Sequence, residues 1–241
     1  MRSILAGPAA FIVAMSALAG RVGAQSNDAH PFHVLAFTTG ATNMAVDALN
    51  TQLAAARFSG LSNQGISYGA TGHYAFGRAL LGADVAHTTY GNEWLDNGRS
   101  DDLNSTQVAG TASYAIFSDR NWTVFPTLGV GVGKFDVTLR DRNGTTGTTA
   151  TTPTFAEIAQ NPGQSTTVSG THMLFNVGGG ADYLITRSAL GTAGVVFGVR
   201  AGYSLAPHNT TWTAGGRTVI AAPDASSGGP FLRVVIGIGG R

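Results

Sequence analysis

Four charged residues, Asp84, Asp182, Arg200 and Arg233, stand inside stretches otherwise made of apolar and small residues, and His73 and Asn176 lie in similar surroundings. All six fall on the polar phase where apolar and polar positions alternate. Charge in such a setting has to be paired, and two acids with two arginines can neutralise one another. The six are therefore candidates for an internal network of ion pairs and hydrogen bonds. Its leading reading is a lock that stiffens a closed interior; the runner-up is a gate on a narrow path, which needs water at the pairs.

Other apparent sites are weaker. A hydrolytic centre needs a nucleophile, a base and an orienting acid together; His87 beside Thr88 and Thr89 is the only start for one, with Glu93 a distant acid and no Ser at hand. Gly129 to Lys134 looks like a phosphate loop, but Leu128 stands where its leading Gly belongs, Phe135 replaces the Ser or Thr, and no helix follows. His30, His33, His73, His87, His172 and His208 show no metal-ligand spacing, and no cofactor is expected. Asn-x-Ser/Thr triplets at Asn104, Asn121, Asn143 and Asn209 are chance matches in a Thr-rich chain.

The elements that hold the six residues follow from composition and periodicity. The chain has 241 residues with 34 Gly, no Cys and 11% charged residues, where about 25% charged and 7% Gly are usual. Gly, Thr, Ser and Asn take the place of charge. A single Lys, Lys134, and a net charge near zero exclude a nucleic-acid binder. The lack of Cys excludes disulfide scaffolds, iron–sulfur clusters, thiol nucleophiles and an N-terminal lipid anchor on Cys. Glycine without a period of three excludes collagen.

Residues 1–24 read as a cleaved secretory signal: Arg2, an apolar stretch from Ile4 to Ala19, and Val22-Gly23-Ala24 before the cut. Residues 25–241 then form one domain, with no later run near the roughly 20 apolar residues of a spanning helix.

Period-two alternation predicts eight strands: Phe32–Thr39, Ile66–Phe76, Ala79–Tyr90, Ser105–Phe117, Trp122–Asp136, Thr171–Ile185, Val195–Leu205 and Phe231–Gly239. Short connections (77–78, 118–121, 186–194) alternate with long ones rich in Thr, Asn, Gly and Asp (40–65, 91–104, 137–170, 206–230). Thr42–Phe58 reads as one helix, with Val46, Leu49, Leu53 and Ala56 at helical spacing, Asn43 as its cap and Arg57 at its C-terminus. It is expected to cap a barrel mouth rather than plug the lumen, because a helix is about 10 Å wide.

Alternating short and long connections with an even strand number are what an outer-membrane meander barrel requires. In such a barrel the apolar phase faces lipid and the polar phase lines the interior; a soluble barrel is the reverse. A soluble barrel exposing the polar phase would show water Gly, Ser and Thr with four charges, well short of the usual quarter to third. Lys134 and Asp136, at the far end of a long strand, would project above the lipid. Tyr74, Phe76, Tyr114, Trp122 and Tyr183 near the short turns, and Tyr68, Tyr90, Phe135 and Phe175 nearer the long loops, are expected to form two interfacial girdles.

On this signal peptide, alternation and loop pattern the chain resembles the small eight-stranded bacterial outer-membrane barrels typified by outer-membrane proteins A, X and W. The resemblance covers nearly the whole mature chain and lies in architecture, with no motif of one member. It implies an all-β, eight-stranded antiparallel up-and-down transmembrane barrel with one short helix in the first long loop, in contact with outer-membrane lipid and inserted by the outer-membrane assembly machinery. A structural, adhesion or surface-interaction role is implied, with a narrow channel for small or apolar solutes as the alternative. A lipid A-modifying enzyme and a soluble periplasmic ligand-binding barrel come after these. The chain departs from those families in ending Gly239-Gly240-Arg241, without a terminal aromatic; recognition is expected either to use Phe231 and its strand's apolar phase or to differ in this lineage.

Overall fold

The computed structural model describes residues 31–119, 121–186, 193–207 and 210–240. Residues 1–30, with the stretch expected to be a signal and His30, most of the expected connection 186–194, His208, Asn209 and Arg241 lie outside the described residues. The elements in chain order are β1 (His33–Asn43), α1 (Asp47–Ala55), β2 (Gln64–Phe76), β3 (Ala79–Trp94), β4 (Arg99–Tyr114), β5 (Phe117–Ser118), β6 (Trp122–Asp141), α2 (Phe155–Gln160), β7 (Ser165–Thr186), β8 (Ala193–Leu205), β9 (Thr211–Ala214), β10 (Arg217–Thr218) and β11 (Gly229–Gly240).

Eight strands, β1, β2, β3, β4, β6, β7, β8 and β11, pair antiparallel in that order, and β11 pairs with β1 from Thr42↔Phe231 to His33↔Gly240. The barrel is closed, so none of its full-length strands is left as an edge. The expected all-β eight-stranded antiparallel barrel is the fold the chain adopts.

Several boundaries differ from the expectation. Residues 91–104, read as a long loop, are mostly strand: β3 and β4 extend until a four-residue turn joins them, in which Gly98 takes φ 82° after Asn97, the backbone such turns demand. β6 and β7 likewise run on to Asp141 and back from Ser165. Phe117 belongs not to β4 but to β5, which folds back on β6 through Phe117↔Val124. The helix is shorter than Thr42–Phe58. Asn43 is still in β1, paired with Gln64, and Val46 stands at the N-cap position without a side-chain bond. Arg57 lies past the helix at φ 62°. A second helix, α2, was not foreseen; Thr154 and Glu157 close a reciprocal cap at its start.

Two apolar cores result. The larger lies at the long-connection end, where Leu49 and Leu53 of α1 and Phe155 and Ile158 of α2 pack with Leu103, Phe135, Val137, Leu139 and Val168 from the upper strands and with Trp212 of β9. The smaller sits at the short-turn end, from Phe32, Val34, Ala36, Leu184, Val196 and Val235.

Candidate functional site

Between these cores lies the lumen. Asp182 on β7 is fully buried, and Arg200 on the neighbouring β8 grips it with a fork, Nη1 donating to Oδ1 at 2.6 Å and Nη2 to Oδ2 at 2.8 Å. Glycine makes room for the fork: a Cβ at Gly198 would stand 2.1 Å from Asp182 Oδ1, and one at Gly180 2.7 Å from the Arg200 side chain. The guanidinium lies 4.8 Å from the centre of the Phe125 ring, a cation–π distance. His73 meets the same ring edge-on, and its Nε2 is 4.0 Å from Asp182 Oδ2.

The second pair crosses the barrel. Arg233 Nη1 on β11 donates to Asp84 Oδ1 on β3 at 2.7 Å, and the guanidinium lies 4.8 Å from the Phe231 ring. The two pairs, His73 and Asn176 all line one cavity of about 50 Å³, except for the wholly buried Asp182, which Arg200 covers. Such a volume holds only a few waters. His73 Nε2, Asn176 Oδ1 and Arg233 Nε are buried without a hydrogen-bond partner among the described residues. Periodicity places the charges on one phase but did not single out Phe125 and Phe231, although the same count puts both inside. Phe231 thus faces Arg233 inside the barrel.

Layers of buried residues lie below and above the cavity. Below, Phe32, Val34, Leu184, Val196 and Val235 fill the barrel. Above, Gln107 Nε2 donates to the Ser227 carbonyl at 2.9 Å and His172 Nε2 meets Ser227 Oγ at 2.7 Å, all three residues being buried. Over this layer sits the cap. Arg99 holds it together, donating from Nε to Asp141 at 3.0 Å, from Nη1 to the carbonyl of Ala56 at the end of α1, and from Nη2 to that of Gln160 at the end of α2 at 3.2 Å. Carbonyls that a helix C-terminus leaves unpaired are natural partners for a cation.

The outer surface divides sharply. Val85, Val108, Val132 and Met173 are cross-strand neighbours on β3, β4, β6 and β7, all outward and 43–55% exposed. The next outward row up is His87, Thr106, Lys134 and Thr171, in the same register. On β3, β4, β6 and β7 the two phases exchange character at this row. Below it on these strands the outward phase is apolar and the inward phase mixes Gly, polar and charged residues with buried apolar ones such as Leu80, Phe125 and Leu174; above it Asn104, Asp136, Thr138 and Thr167 face out while Leu103, Phe135, Val137 and Val168 face in and are buried. His87 belongs to this border, its Nδ1 2.9 Å from Thr106 Oγ1.

With this geometry the chain can be set beside known proteins. No family model and no curated protein matches the sequence. Among solved structures, the attachment invasion locus protein of Yersinia pestis, solved in complex with the heparin analogue sucrose octasulfate, aligns with 11% identity over 87% of this chain and 97% of its own, at a TM-score of 0.48. Neisserial surface protein A aligns with 14% identity over 87% and 96%, at 0.43. The outer membrane protease of Escherichia coli aligns with 8% identity over 91% and 99%, at 0.37.

The aromatic expectation needs one correction. Tyr74, Phe76, Tyr114 and Trp122 are exposed at the short-turn end, with Tyr183 half-buried against Trp122 at 4.8 Å, and Tyr68 and Phe175 are exposed further up. Tyr90 and Phe135 are not on this surface. Both lie on the inward phase above the border and are buried in the cap, where Phe135 meets Trp212 edge-on at 5.0 Å. The apparent phosphate loop, Gly129 to Lys134, is part of β6.

Proposed function

We propose that the chain is an integral outer-membrane protein whose barrel is closed to solutes and holds a folded cap above the lipid, serving envelope structure or surface interaction. The observation that carries this is the exchange of phases at the His87–Thr106–Lys134–Thr171 row. A wall facing water throughout has no reason to turn its apolar phase outward in one half and inward in the other. A wall leaving lipid for water does, because large exposed apolar patches are rare on soluble proteins. The apolar stopper below the cavity and the Gln107–Ser227–His172 layer above it support a lumen that stores ion pairs and does not conduct.

The narrow-channel reading has one observation in its favour, the unpartnered polar atoms around the cavity. Planar-bilayer recording separates the two. Protein extracted from outer membranes in detergent, and folded as judged by a heat-dependent shift in gel mobility, is expected to add no steps of conductance. Regular steps that vanish in an Asp182→Ala protein would establish the channel instead. Recovery without detergent would contradict the membrane placement itself.

A further inference from the structure

The connection between β6 and β7 carries the densest run of hydroxyls in the chain, Thr145-Thr146-Gly147-Thr148-Thr149-Ala150-Thr151-Thr152-Pro153, and no charged residue stands between Arg142 and Glu157. Five of the six threonines are exposed; Thr148 is half-buried. The backbone is nevertheless pinned. Gly147 bridges to Pro162, the Thr148 amide donates to the Asn161 carbonyl at 3.2 Å, and Arg217 Nη1 donates to the carbonyls of Thr148 at 3.3 Å and Ala150 at 2.7 Å. Pro153 and Phe155 anchor the far end by burial. Main-chain groups are thus spent on the protein while side chains are turned away from it. Thr145 and Thr146 share one contact of 3.4 Å, and the hydroxyls of Thr149, Thr151 and Thr152 make no hydrogen bond among the described residues.

An external loop that needed only to be solvated would do better with charge. A Thr-rich stretch with Pro is instead the composition of O-glycosylated segments, and small neighbours at Gly147 and Ala150 leave the hydroxyls open to approach. We propose that this loop is a site of O-linked glycosylation, with Thr149, Thr151 and Thr152 as acceptors. The donor is a diphosphate-activated sugar, used by a separate transferase. Threonine Oγ1 attacks the anomeric carbon and the C1–Oγ1 bond forms. The bond from C1 to the diphosphate oxygen breaks, the electron pair leaves with the diphosphate, and the hydroxyl proton passes to a base of the transferase. The inference rests on the exported reading above, since the loop has to meet an envelope transferase.

The test is peptide mass spectrometry on protein purified from outer membranes of the organism that encodes it. Trypsin releases the loop as the peptide Asn143–Arg187, whose mass is independent of where the signal segment is cut. The same peptide from an expression strain lacking O-glycosyltransferases is the baseline. The expected result is a mass higher by whole sugar increments, mapped by fragmentation to Thr149, Thr151 or Thr152. These increments should be lost in a Thr149→Val, Thr151→Val, Thr152→Val protein that still shows the heat-dependent gel shift. An unmodified peptide from protein that does fractionate with outer membranes overturns the glycan and leaves the membrane reading standing. Sugars that map elsewhere and persist in the triple variant overturn it as well. Protein that never reaches the envelope contradicts both.

Discussion

Arg200 and Arg233 stand directly opposite one another on β8 and β11, both inside the barrel. Like charges in that relation repel. Each is drawn off by a carboxylate on another strand, Arg200 by Asp182 and Arg233 by Asp84. The two pairs are therefore one device, and losing either acid leaves a cation facing a cation.

Asp182→Ala is expected to destabilise the barrel by about 3–5 kcal/mol, the range for removing one partner of a buried pair. Asp84→Ala should cost less, because the Asp84 side chain is 17% exposed against 0% for Asp182. Removing Arg200 together with Asp182 should restore part of the loss. Denaturant titration of the folded form, arranged as a double-mutant cycle, measures the coupling; strictly additive losses would show the side chains to be independent.

Arg99→Ala should loosen the cap and spare the barrel. Its guanidinium ties Asp141 to the ends of both helices, and cutting it should cost about 3 kcal/mol locally. Hydrogen exchange is expected to quicken in α1 and α2 together while the lower halves of β6 and β7 stay protected. Quickening in one helix alone would mean that the clamp does not join them.

Asp101, in the extension of β4 above the His87–Thr106 row, is buried and accepts a hydrogen bond from Ser59. Burial holds its pKa above the ordinary 3.8, despite the opposing Ser59 bond. The folded cap therefore binds a proton that the unfolded chain has already lost. Stability falls as pH rises from the unfolded value through the folded one. Cap protection against hydrogen exchange should thus be greater at mildly acidic pH than at neutrality, and Asp101→Asn should flatten the trend and raise protection at neutral pH. A slope of the opposite sign in the wild-type protein would refute this.

The barrel was largely legible because its signal is local: period-two alternation in β2, β6 or β8 needs no knowledge of the partner strand. The exchange of phases was also written in β6, where Phe135, Val137 and Leu139 alternate with Lys134, Asp136 and Arg140. It is hidden from any reading that stops the strand where the outward face turns polar, which puts Tyr90 and Phe135 on the wrong side. Partner choice was not legible. Arg233 reaches Asp84 across 149 residues of sequence, and which inward charges meet across a lumen is set by curvature and stagger. Asn43 failed as a cap because pairing with Gln64 keeps it in β1. The six-residue α2 is too short for periodicity to detect; its one signal was Thr154 three places before Glu157.

The absence of cysteine allows the membrane placement to be tested directly with single spin labels. Labels are placed at Val108 and Val132 below the border and at Thr138 and Thr167 above it, in protein reconstituted into lipid vesicles. Collision with apolar oxygen should dominate at the first two and collision with a water-soluble nickel complex at the last two, the change falling across the Thr106–Lys134 row. Equal access of the nickel complex to all four positions would contradict the account.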